Sequence, residues 1–212
     1  LPAGLLGFPT QLHEEVTSVA TARAPLSPPI HKVRIKYDLK CPMRDGTELS
    51  TDVYLPADGG PYPALLLRTP YDNIAEGDIE RIGHIYWAQR GYVLVTQDAR
   101  GRYDSSGEWY PFINEAHDGQ DAIEWVARQP WCNGKVGIVG SSYRGLTQWQ
   151  AAQGGSPNLL AAVPKVAYSN LYHNWVYTGG AFQLAFGLSW AIAMATNTMQ
   201  WQYLSLPEEL HL

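Results

Sequence analysis

Three uninterrupted apolar runs constrain this chain more than any other feature. Residues 63–68 (PALLLR), 92–96 (YVLVT) and 135–139 (KVGIV) show no alternation of polar and apolar positions. A strand that is apolar on both sides is buried on both sides, as in a parallel sheet covered by helices. The intervening segments have helical spacing. In residues 78–90, Ile79, Ile82, Ile85 and Tyr86 fall on one side, and Gly91 follows as a stop. In residues 115–129, Ala122, Ile123, Val126 and Ala127 face inward, and Pro130 ends the run. Residues 143–153 predict a third helix and 159–166 a further strand. Strand–helix alternation of this kind predicts an α/β fold with right-handed crossovers. An antiparallel hairpin precedes it. Val33, Ile35 and Tyr37 alternate with polar residues, Asp45-Gly46 signals the turn, and Leu49, Thr51, Val53 and Leu55 alternate beyond it.

The chain divides into three parts by composition. Residues 1–30 hold five prolines and no sustained period, so they predict a surface lead. Residues 31–165 form the α/β core. Residues 166–212 begin a helical cap, with no Asp, Glu, Lys or Arg between Lys165 and Glu208. The most apolar part of the cap, residues 181–195, is 15 residues long and contains Gln183 and Ser189. That is short of the roughly 20 residues needed to span a membrane. It predicts a buried or half-buried helix over the carboxyl ends of the strands.

Composition removes several function classes. The net charge of −5 argues against nucleic-acid binding through a basic footprint. Two cysteines, Cys41 and Cys132, make neither a disulfide scaffold nor a four-thiolate zinc site, and free thiols are expected. The six histidines are scattered, with no metal-ligand spacing. No glycine-rich phosphate loop appears, so neither metal nor cofactor is expected. Eight Trp and 13 Tyr point to a thick core, an aromatic pocket, or both. No basic segment precedes an apolar one at the start, which favours the cytoplasm over export.

The sharpest local signal is Val139-Gly140-Ser141-Ser142-Tyr143-Arg144-Gly145, set between a predicted strand and a predicted helix. A nucleophile elbow has this context: a tight turn presents a serine hydroxyl, and small neighbours permit the turn. The helix start behind it offers backbone N–H groups to a developing oxyanion. Ser142, two residues after Gly140 and directly before the helix, is the candidate nucleophile, and Ser141 the local packer. The spacing departs from G-x-S-x-G, because Arg144 takes the second glycine position. A small-residue turn also serves plain packing, and both readings stand at this point.

Several ordered blocks resemble the CocE/NonD hydrolases, the family of bacterial cocaine esterase, α-amino-acid ester hydrolases and Xaa-Pro dipeptidyl-peptidases. They are Met43-Arg-Asp-Gly46, Thr51-Asp-Val-Tyr-Leu-Pro56, Arg68-Thr-Pro-Tyr-Asp72, Gln97-Asp-Ala-Arg-Gly-Arg102, Ser106-Gly-Glu-Trp109, Gly134-Lys-Val-Gly137, the Gly140–Gly145 elbow and Thr147-Gln148. The resemblance covers residues 33–190 and implies an α/β-hydrolase fold, with G-x-S-Y-x-G as the family's own elbow. It implies Ser142 as acyl-forming nucleophile, with the Tyr71 hydroxyl and the Tyr143 backbone N–H as oxyanion donors. It also implies Trp175 and Trp190 as walls of an aromatic acyl pocket. Without the resemblance, Tyr71 reads as a packing aromatic and the two tryptophans read equally as cap core. Asp98, Arg100, Arg102, Glu115 and Asp118 read as a structural charge network.

A serine hydrolase also needs a histidine base and an orienting acid. After Ser142 the chain offers only Glu208, Glu209, His173 and His211, none after a recognisable strand. The expectation is therefore the N-terminal part of a larger hydrolase, truncated before its triad acid and histidine and inactive alone. The leading reading is cocaine-esterase-like hydrolysis of a small-molecule ester or amide. The alternatives are Xaa-Pro dipeptidyl-peptidase activity on peptides and a non-catalytic binding module. No membrane partner is expected, while the aromatic cap leaves homo-oligomers open.

Overall fold

The computed structural model describes residues 27–73, 78–168 and 170–204. Residues 1–26 of the expected lead, together with Glu208, Glu209 and His211, lie outside the described residues. The chain opens with the antiparallel hairpin of β1 (Val33–Pro42) and β2 (Glu48–Pro56). Gly46 takes φ 84° at the turn, where a side chain would be strained. There follow β3 (Tyr62–Thr69), α1 (Asp78–Ala88), β4 (Val93–Asp98), α2 (Glu115–Ala127), β5 (Cys132–Ser141), α3 (Tyr143–Ala152) and β6 (Leu159–Lys165).

The six strands form one sheet in the order β1-β2-β4-β3-β5-β6. Strands β4, β3, β5 and β6 run parallel, and β2 joins β4 antiparallel. From β3 the chain steps outward to β4, then returns through α2 to the other side of β3. The winding direction reverses there, which opens a crevice at the carboxyl ends of β3 and β5.

Helices cover both faces of the central strands. Ala122, Ile123 and Val126 of α2 and Ala151 of α3 pack on Val53, Leu55, Leu66, Val95, Val136 and Ile138. On the opposite face, Trp87 and Ala88 of α1 pack on Tyr54, Leu65 and Leu94. Both cysteines are buried and free, as expected.

Three expectations need correction. The alternation through Tyr37 breaks at a bulge between Lys36 and Leu39, where Asp38 takes φ 52°. A bulge shifts the side-chain parity by one. Val33 and Ile35 therefore serve the α1 face, Leu39 and Cys41 serve the α2 face, and Tyr37 is exposed. In α1 the buried positions are His84 and Ala88, whereas Ile85 is 42% exposed. The side chains of Ile79 and Ile82 fall outside the described ones. Strand β6 forms the sheet edge, last in the strand order, and its Leu160 and Val163 are exposed.

The third concerns the cap. It contains α4 (Leu171–Asn174), the short hairpin β7 (Tyr177–Thr178) and β8 (Ala181–Phe182), and α5 (Leu184–Leu204). The apolar helix α5 is mostly exposed. Leu184, Phe186, Leu188 and Ile192 face solvent, and Met194 is its one buried residue among the described side chains. The helix is apolar around its whole circumference, and the core covers only one side of it. Among the described residues, no helix is long and apolar enough to cross a membrane.

Candidate active site

The elbow stands at the end of β5, on the crevice. Ser142 has φ 59° and ψ −125°, a strained conformation for a residue with a side chain. Its N–H donates to Lys165 O of β6 at 3.0 Å, and its own carbonyl accepts from Gly145 N–H and Leu146 N–H as α3 begins. The two glycines answer to crowding. A Cβ on Gly140 would lie 2.6 Å from Arg144 Cβ, and one on Gly145 would lie 2.8 Å from Lys165 O and 2.7 Å from Ala167 Cβ. Glycine at 145 thus lets α3 pass against the end of β6, while Arg144 needs no such clearance. Gln148 reaches back from α3, its Nε2 donating to the carbonyls of Gly140, Arg144 and Val163 at 3.1–3.2 Å. The Thr147-Gln148 block therefore braces the elbow, a role that only the fold reveals.

Tyr143 is the first residue of α3, so its N–H belongs to the group that no intrahelical carbonyl satisfies. Its ring is fully buried. Its hydroxyl donates to Glu115 Oε1 at 2.8 Å and accepts from Phe112 N–H at 3.1 Å. Burial, and then the Glu115 charge, push this phenol well above the ordinary tyrosine range. Glu115 in turn pairs with Arg68 of β3 at 2.5 Å, and Arg68 Nε donates to Gln97 Oε1 at 2.8 Å.

Tyr71 follows β3, the strand adjacent to β5. Its N–H donates to Thr69 Oγ1 at 3.1 Å, and its ring meets that of Tyr143 edge-on at 6.2 Å. The adjacency of β3 and β5 thus brings Tyr71 and the Ser142–Tyr143 turn to one end of the sheet. Trp175 lines a cavity of about 410 Å³ together with Ser142, Val166, Tyr168, Thr178, Gln183 and Phe186. No charged side chain is among these walls in the described residues. Trp190 is not among the residues lining this cavity. From α5 its ring faces Tyr143 and Phe112, each at 6.2 Å, and its indole Nε1 donates to the Tyr71 hydroxyl at 3.3 Å.

Phe112 carried no sequence signal. It has φ 69° and stacks on Tyr143 at 4.4 Å. Its position depends on the loop before α2, not on any local period.

The expected charge network divides in three. Arg100 bridges Asp118 at 2.6 Å and Asp45 at 2.6 Å, and Arg68, missed by the sequence reading, joins Glu115. Among the described residues, Arg102 pairs with no acid. It donates to Pro70 O at 2.8 Å and to Asn197 Oδ1 and Thr198 Oγ1 of α5. Asp98 stands apart, 1% exposed and paired with no cation among the described residues. Burial, then the Asp72 charge, raise its pKa to about 9.

No histidine among the described residues contacts Ser142. His173 is exposed on α4 beside Tyr172, His117 bonds Arg44, His31 meets Asp58, and His84 packs on Tyr54. No cluster of potential metal ligands occurs among the described residues. A second cavity, of about 350 Å³ between Arg34, Lys36, Tyr62 and Trp131, lies where the parallel strands begin, away from Ser142.

A mixed, mostly parallel sheet with a switch point, and a serine at positive φ between strand and helix, define an α/β-hydrolase fold. The chain belongs to the CocE/NonD hydrolase family, and residues 45–208 match the model of the X-Pro dipeptidyl-peptidase (S15) family. It is 37% identical over 171 residues to the cocaine esterase of Rhodococcus sp. (strain MB1 Bresler), an alignment covering 79% of this chain and 30% of that protein. It is 30% identical to a putative serine esterase of Mycobacterium bovis, over 70% of this chain and 27% of that protein. Among solved structures it is similar to a CocE/NonD family hydrolase from Staphylococcus aureus. That match has TM-score 0.71 and 25% identity, covering 78% of this chain and 33% of the other. An α-amino acid ester hydrolase superposes with TM-score 0.60 at 28% identity, covering 84% of this chain and 32% of the other. The chain spans about 30% of the length of the curated relatives it matches.

Proposed function

We propose that this chain carries the nucleophile and the oxyanion donors of a serine hydrolase that cleaves carboxylic esters. The observation that carries the reading is Ser142 at φ 59° on the switch-point crevice, opening on a cavity of about 410 Å³. The Ser142 hydroxyl attacks the substrate carbonyl, the leaving alcohol departs, and water releases the acyl group. The tetrahedral oxygen takes hydrogen bonds from the Tyr71 hydroxyl and the Tyr143 N–H. Losing one such donor costs on the order of 3 kcal/mol of transition-state stabilisation. Trp175 and Phe186 line the acyl pocket. A histidine base and an orienting acid complete such a site.

Uncharged pocket walls favour a neutral acyl group, because a free substrate ammonium would call for a carboxylate. The match to the X-Pro dipeptidyl-peptidase family keeps a second reading alive, proteolysis after Xaa-Pro. A p-nitrophenyl ester and a Gly-Pro p-nitroanilide separate the two. The first test is a fluorophosphonate probe on the protein extended to the relatives' length. The expected label sits on Ser142, is lost in Ser142→Ala and is retained in Ser141→Ala. An extended protein that takes no label favours a non-catalytic binding module.

A further inference from the structure

Trp190 sits in the cap helix, 119 residues from Tyr71, yet its indole donates to the Tyr71 hydroxyl at 3.3 Å. An indole N–H can only donate, so the phenol oxygen must be the acceptor in this bond. The Tyr71 hydroxyl makes no other hydrogen bond among the described residues. Its own hydrogen is therefore left to point elsewhere. The Trp190 ring is itself fixed. It stacks at 15° and 23° to Phe112 and Tyr143 and meets Trp109 edge-on at 5.9 Å.

From this geometry we infer that Trp190 is a positioning residue: by donating to the Tyr71 oxygen, it aims the Tyr71 hydroxyl hydrogen at the developing oxyanion. The inference rests on the reading of Tyr71 as an oxyanion donor. It gives the cap a part in the chemistry beyond forming a pocket wall. Without the indole, the phenol rotor is free to turn its hydrogen toward water or a carbonyl, and part of each encounter is spent misaligned. An accepted hydrogen bond also polarises the phenol, which strengthens the bond it donates.

Two measurements test this. The first reads the bond in the 212-residue chain, without activity. In an indole ¹⁵N spectrum, the signal lost in Trp190→Phe should be downfield and protected from exchange. Tyr71→Phe should move that same signal upfield and speed its exchange. A Trp190 signal indifferent to Tyr71→Phe overturns the proposal, and this arm stands even where Trp190→Phe loosens the cap.

The second reads the use of the bond, as the rate of Ser142 phosphonylation by a fluorophosphonate. In that step the Oγ–P bond forms, the P–F bond breaks, and the hydroxyl proton leaves with fluoride. Trp190→Phe keeps an aromatic ring in the stack and removes the donor. It should slow phosphonylation about three- to tenfold, the worth of one modest hydrogen bond. In a Tyr71→Phe background it should slow nothing further. Equal slowing in both backgrounds means that Trp190 acts by packing alone and overturns the proposal. If Ser142 takes no label at all, the nucleophile reading fails and the catalytic use of the bond with it, while the indole signal still reports whether the bond exists.

Discussion

Around Ser142 the chain is held by backbone contacts and buried charge, whereas residues 170–204 contain no Asp, Glu, Lys or Arg and bury only Met194 among their described side chains. The elbow is locked between β5, β6 and α3, with two glycines at contact distance from their neighbours. The cap is attached at few polar points, chiefly Arg102 to Asn197 and Thr198, and Trp190 to Tyr71. The geometry at Ser142 therefore follows from the sheet and α3. The Tyr71 side depends on a helix that the core holds loosely, and mutations should separate the two regions.

The largest effect is expected on the rigid side. Glu115 joins Arg68 of β3, Tyr143 of the elbow helix and the start of α2. Removing one member of a buried ion pair leaves the other unpaired and costs about 3–5 kcal/mol. Glu115→Ala should lower the melting temperature of the whole domain by about 6–20 °C in calorimetry. A small shift would mean that Asp118, 3.9 Å from Arg68, carries the charge balance instead.

The next effect is a pH dependence. Asp98 has its folded pKa raised to about 9 from an ordinary value near 3.8, with burial as the first cause. Between those values the folded state holds a proton that the unfolded state has released. Its contribution is fully present below about pH 4 and declines as pH rises toward 9, at most by about 1.4 kcal/mol per pH unit. Asp98→Asn mimics the neutral acid and should flatten the fall in stability from pH 5 to pH 9. Parallel pH profiles for the two proteins would show that Asp98 is ionised in the fold.

Much of the rigid region was legible because its determinants are local. Apolar runs gave β3, β4 and β5 within a few residues, and small residues between strand and helix marked the turn at Ser142. What stayed hidden depends on partners far along the chain. Arg68 meets Glu115 47 residues away, and Phe112 reaches Tyr143 across the crevice. Nothing near Asp38 announces the bulge that switches β1 from one face to the other. Its cause is Asp52, whose carboxylate accepts the Asp38 N–H at 2.8 Å. In the cap, composition showed an apolar helix but not which side would be covered. An all-apolar segment carries no amphipathic stripe to assign.

A smaller expected effect tests the close packing at the elbow. Gly145→Ala places a methyl group within 2.8 Å of both Lys165 O and Ala167 Cβ. Overpacking of this kind costs about 1–3 kcal/mol. Gly83, with open space around its Cβ position, is the control, and Gly83→Ala should be neutral to mildly stabilising in α1. Equal melting temperatures for the two variants would mean that the elbow yields and is not tightly locked.

The smallest global effect, and the most local one, belongs to the cap. Arg102 is 2% exposed and holds α5 through Asn197 and Thr198 while its guanidinium lies 4.8 Å from the Trp109 ring. Arg102→Met preserves apolar bulk and removes the donors. Hydrogen bonds from a charged donor are worth about 1.5–3 kcal/mol each, and α5 has little buried surface to offset their loss. Amide exchange should therefore quicken across residues 184–204 while β3, β4 and β5 keep their protection, because the core buries its own apolar surface without α5. Uniform loss of protection in both regions would mean that cap and sheet unfold as one unit, and that Arg102 belongs to the core rather than to the attachment of the cap.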